Sequence, residues 1–75
     1  MFKDRLNHTR KEKGVTAQQM ADFLKINIRA YRKYESGDTM PPLDNLVKIA
    51  DYLDVSTDYL LCRDEFLKSH GVFFD

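Results

Sequence analysis

The three-residue stretch "KIN", residues 25–27, constrains this chain more than any other feature, because it separates two patterns that each read as a short amphipathic helix. Before it, Thr16 followed three positions on by Gln19 has the spacing of a capping box. The helix it opens, over about 16–24, places Ala17, Met20, Ala21, Phe23 and Leu24 on an apolar side and Gln18, Gln19 and Asp22 on a polar one. After the connection, Asn27 suits an N-cap and Gly37 a C-terminal stop, which predicts a second helix over about 28–36. So short a turn forces the two helices to cross steeply.

The rest of the chain offers helical periodicity and no strand pattern, repeat or low-complexity segment. A first helix over about 2–13 carries Phe2, Leu6 and Arg10 on one stripe and stops at Gly14. An arginine on a core-facing stripe must find a partner, or its desolvation goes uncompensated. After "GDTMPP", Pro42 falls at or near the first position of a fourth helix, with Leu43, Leu46, Val47, Ile49, Ala50 and Leu53 as its apolar set. A fifth is capped by Ser56 and offers Tyr59, Leu60 and Leu61 to the core. With 75 residues, 43% hydrophobic and 32% charged, these helices can share one modest core. The expectation is an all-α, compact five-helix bundle.

Composition also removes function classes. No apolar run approaches the roughly 20 residues that span a bilayer, and "MFKDRLNHTRKEKG" is too charged for a signal peptide. A cytoplasmic protein without a membrane partner is expected. Cys62 is the single cysteine and the two histidines lie far apart, so no metal or cofactor is expected. His8, His70, Cys62 and Ser69 supply no nucleophile with a base at motif spacing, and the chain is not expected to be an enzyme.

The formal net charge of zero hides a division along the chain. Residues 1–35 hold nine Lys and Arg against four Asp and Glu, whereas residues 36–75 hold three against eight. The basic half is a candidate face for phosphates. Wound at about 100° per residue, the helix after "KIN" gathers Ile28, Arg29, Arg32 and Lys33 on one arc and Ala30, Tyr31 and Tyr34 on the opposite one. Beyond Leu61 the chain keeps offering large apolar groups, Phe66, Leu67, Val72, Phe73 and Phe74. Exposed clusters of this kind mark partner surfaces; the alternative is a tail folded back on its own core or left mobile.

"TAQQMADFLKINIRAYRKYESG" and "PPLDNLVKIADYLDVSTDYLL" together resemble the helix-turn-helix proteins of the lambda repressor and Cro type, over a stretch from about Arg5 to Leu61. The resemblance implies a DNA-binding domain over 1–61, followed by a C-terminal extension over 62–75 for dimerisation or partner binding. It makes the helix over about 28–36 the recognition helix, set in the major groove of double-stranded DNA, with Ile28, Arg29, Arg32 and Lys33 toward the bases. It assigns backbone contacts to Thr16, Gln18, Asn27, Ser36 and Thr39, and a structural ion pair to Arg10 and Glu35.

By the same resemblance the chain is expected to be a sequence-specific transcriptional regulator, a repressor that binds a near-palindromic operator as a homodimer. Phe66, Leu67, Phe73 and Phe74 are expected at its dimer interface. The alternatives are an antitoxin whose apolar tail holds a small protein partner, and a protein-interaction module without DNA binding. Four positions depart from the family's pattern: Ala17 replaces a frequent glutamine, Lys25 a glycine, Thr9 a leucine, and Pro42 a serine cap.

Overall fold

Both halves of the predicted capping box are formed in the computed structural model, which describes residues 1–63. Gln19 N–H donates to the Thr16 hydroxyl at 3.0 Å and Thr16 N–H donates to Gln19 Oε1 at 2.8 Å. The described residues make five helices and no strand: α1 (Phe2–Glu12), α2 (Ala17–Leu24), α3 (Ile28–Ser36), α4 (Leu43–Leu53) and α5 (Thr57–Leu60). Phe66, Leu67, Phe73 and Phe74 lie outside the described residues.

The turn after α2 closes through Lys25, whose φ of 59° and ψ of 41° are left-handed. Its N–H and that of Ile26 return to the carbonyls of Asp22 and Ala21 at 3.2 and 3.0 Å, a Schellman motif. α4 ends in the same way, with Asp54 at φ 59° and Val55 N–H on the Ala50 carbonyl at 3.0 Å. Ile26 and Val55, the residues just past each left-handed position, both pack on the core. α3 starts where Asn27 Oδ1 accepts from Ala30 N–H at 2.7 Å and ends at Gly37, φ 87°. α4 starts after Pro42, which offers no side-chain cap; Asp44 in its first turn complements the helix dipole instead.

One core draws on every helix: Phe2 and Leu6 from α1, Met20, Ala21 and Leu24 from α2, Tyr31 and Tyr34 from α3, four residues of α4, and Leu60 from α5. Three side chains assigned to the core by periodicity are not in it. Phe23 is 42% exposed, Leu43 75% and Val47 42%. On α4 only the arc of Leu46, Ile49, Ala50 and Leu53 is covered, so Leu43 and Val47 fall on its flank. Phe23 stacks instead on Tyr52 of α4, ring centroids 4.5 Å apart. Of the α5 set, Leu60 is buried while Tyr59 and Leu61 are half-buried. Arg5 reaches across from α1, with its guanidinium 4.5 Å above the Tyr59 ring and Nη1 donating to the Tyr59 carbonyl at 3.1 Å.

Candidate nucleic-acid interface

The orientation of α3 follows from what its inner face holds. Tyr31 and Tyr34 are buried and meet edge to face, centroids 6.1 Å apart. One turn on from Tyr31, Glu35 collects four donated hydrogen bonds from three residues. Arg10 donates from Nε at 2.5 Å and Nη2 at 3.1 Å, Asn7 Nδ2 at 2.8 Å and the Tyr31 hydroxyl at 2.6 Å. Arg10 Nη1 closes the network on the Val15 carbonyl at 2.8 Å, which ties in the segment before α2. The core-facing arginine of α1 therefore has its partner in α3, and the pair is nearly buried.

Proton affinities follow from the same contacts. Burial alone would raise the Glu35 carboxyl, but the hydrogen bonds from Arg10, Tyr31 and Asn7 and the arginine's charge outweigh it and hold the group below its ordinary range. Its bond with Glu35 holds the Arg10 guanidinium up, against burial. Burial, and then the bond to Glu35, pushes the Tyr31 phenol strongly upward. At neutral pH the network is a carboxylate, a cation and a neutral phenol.

With its inner face held, α3 turns Arg29, Arg32 and Lys33 outward. All three are exposed, and among the described residues none of them takes part in an ion pair. Ile28 differs from the outward residue expected from the arc: it is half-buried and packs on the core, because it stands where α3 emerges from the turn. Arg29 and Lys33 border a groove of about 380 Å³ together with Asn27, Ala30, Tyr34, Thr39 and Met40. Four residues assigned from the sequence, Asn27, Arg29, Lys33 and Thr39, thus share one concavity. Thr39 is carried there by its N–H, which donates to the Lys33 carbonyl at 3.3 Å and folds the loop back on α3.

Other candidates lie apart from that groove. Arg32 is exposed on α3 outside it, and Thr16 and Gln18 stand at the start of α2. The Thr16 hydroxyl is engaged in the capping box, and Gln18 Nε2 donates to Asp22 Oδ1 at 2.9 Å. Ser36 donates to the Lys33 carbonyl at 3.2 Å and accepts from Asp38 N–H at 3.4 Å. Met40, 56% exposed, is a groove residue that the sequence does not single out; nothing in a loop read as "GDTMPP" indicates that it lines a groove with α3.

Such a surface suits a polyanion that also presents hydrogen-bonding and apolar edges: cations, an amide and a hydroxyl beside Met40 and Tyr34. Among the described residues no group of His, Cys, Asp and Glu could hold a metal ion, and no helix is long and apolar enough to cross a membrane.

Residues 8–60 match the family described as Helix-turn-helix. The chain is 49% identical over 62 residues to the "Cryptic phage CTXphi transcriptional repressor RstR" of Vibrio cholerae, which covers 83% of this chain and 55% of that protein. It is 49% identical over 61 residues to the "SPbeta prophage-derived uncharacterized HTH-type transcriptional regulator YonR" of Bacillus subtilis, covering 81% of this chain and 56% of that one. The chain therefore spans about half the length of these curated relatives. A crystal structure of a transcriptional regulator from Listeria innocua superposes with a TM-score of 0.74 at 27% identity, covering 100% of this chain and 79% of that one.

Proposed function

The chain belongs to the helix-turn-helix family of the lambda repressor and Cro type, and on that premise we propose that it is a sequence-specific DNA-binding transcriptional regulator. The single observation that carries the reading is the outward set of Arg29, Arg32 and Lys33 on a helix whose rotation is fixed by the Glu35 network. Exposed cations on a held helix suit donation to guanine O6 and N7, where a good bidentate contact discriminates by about 1–3 kcal/mol. Ile28, half-buried at the start of α3, offers an apolar edge to a thymine methyl. Asn27, Thr39, Ser36, Thr16 and Gln18 serve the phosphate backbone, with the free amides at the start of α2 adding to the attraction.

Repression is the sense of regulation we favour, since the Vibrio cholerae relative is named a transcriptional repressor. One domain of this size reads few base pairs, so useful selectivity calls for a homodimer whose two recognition helices lie about 34–36 Å apart on a near-palindrome. Selection from a pool of random duplexes tests this. Enrichment of a two-fold related sequence with half-sites about one helical turn apart supports the reading, and recovery of a pool without any shared sequence contradicts it.

A further inference from the structure

Lys3 stands on α1, away from the recognition helix in sequence, yet its side chain lies across the end of that helix. A Cβ placed on Gly37 would come within 2.9 Å of Lys3 Cδ and within 3.8 and 3.9 Å of its Cε and Cγ. The glycine that ends α3 at φ 87° therefore also makes room for the lysine stem. Lys3, Ser36, Gly37 and Met40 border a second groove, of about 260 Å³. Met40 also borders the groove of Arg29 and Lys33, so one residue is shared between the groove beside Lys3 and the groove of the cationic face. Lys3 is exposed, and among the described residues it takes part in no ion pair.

A lysine stem laid on backbone keeps its ammonium in a restricted volume, which lowers the entropy lost when the charge meets an anion. The stem also lies beside Gly37, between Ser36 in the last turn of α3 and the loop that carries Thr39. We propose that Lys3 is a further phosphate-contacting residue of the interface, acting from α1 beside the end of α3. The proposal rests on the DNA-binding reading above. Its rival is a purely structural part, in which a cation near the C-terminus of α3 complements the helix dipole.

Lys3→Met keeps the stem over Gly37 and removes the charge; Lys3→Arg keeps both. Fluorescence anisotropy over a salt series, on a random-sequence duplex and on a selected one, separates the possibilities. For Lys3→Met the slope of log affinity against log salt should become shallower by about 0.9 per bound chain on both duplexes, with the preference between them unchanged and Lys3→Arg like wild type. An unchanged slope, even with a lowered Tm, assigns Lys3 to the end of α3 alone and overturns the proposal. A changed preference overturns it too, because a phosphate contact carries no sequence information. If wild type itself shows no salt-dependent binding, the DNA-binding reading has failed and takes this one with it; wild-type binding beside an unaltered Lys3→Met slope fails Lys3 only.

Discussion

Arg10 and Glu35 join α1 to the last turn of α3 through two hydrogen bonds, from Nε and Nη2, in a nearly buried pair. Through Tyr31 and Asn7, which donate to the same carboxylate, the pair sets how α3 is rotated against the rest of the domain. The rotation decides which side chains face outward. The stability of the domain and the outward set of α3 side chains thus depend on one carboxylate.

Arg10→Met should remove the partner of a desolvated charge and cost about 3–5 kcal/mol of unfolding free energy. Urea denaturation followed by circular dichroism measures it. A loss below about 1 kcal/mol, the range of an exposed pair, would show that the pair does not hold the helices together.

Acid should weaken the same link. The Glu35 carboxyl is held below its ordinary value of 4.5, so the unfolded chain binds this proton more readily than the native one. Its contribution is therefore complete above the ordinary value and disappears as pH falls through the lower native value. Stability differences between wild type and Glu35→Gln, measured by urea titration from neutral pH down to about pH 2.5, should shrink on acidification. A difference that stays constant contradicts the assignment.

Thr9 is 1% exposed and its hydroxyl has no hydrogen-bond partner among the described residues. Replacing it by valine keeps the shape and removes an uncompensated polar group, whose burial costs about 1–3 kcal/mol. Thr9→Val should raise the Tm, with an increase in unfolding free energy of about 1 kcal/mol. A lowered Tm would mean that the hydroxyl is satisfied in solution.

Lys25 holds a left-handed backbone that costs an L-residue roughly 1–2 kcal/mol, while glycine adopts it freely but gains entropy in the unfolded chain. Lys25→Gly should stabilise the domain by about 0.5 kcal/mol after that offset, and Lys25→Val should destabilise it. Thermal melts of the two variants moving in the same direction would refute the account of this turn.

Much of this architecture was legible because its signals are local. Thr16 with Gln19, Asn27, Gly37 and Ser56 each mark a helix end by what one side chain or one positive φ can do within a few residues. Periodicity likewise separated Tyr31 and Tyr34 from Arg29, Arg32 and Lys33. It did not reveal how much of an apolar arc finds a neighbour. Phe23, Leu43 and Val47 carry the right spacing, but five short helices do not surround α2 and α4 completely. The groove was illegible for a different reason. It depends on the path of the loop after α3, where Thr39 N–H returns to the Lys33 carbonyl and brings Met40 with it, and no local pattern encodes that closure.

The central claim, that the outward cations of α3 read bases, is met most directly by fluorescence anisotropy on a selected duplex and a random one across a salt series. Wild type and Arg29→Ala Lys33→Ala are compared. The account predicts that wild type prefers the selected duplex and that the double variant loses that preference while still binding both in a salt-dependent manner. A double variant that keeps the full preference would contradict it, and would leave Arg29 and Lys33 as a solvated face.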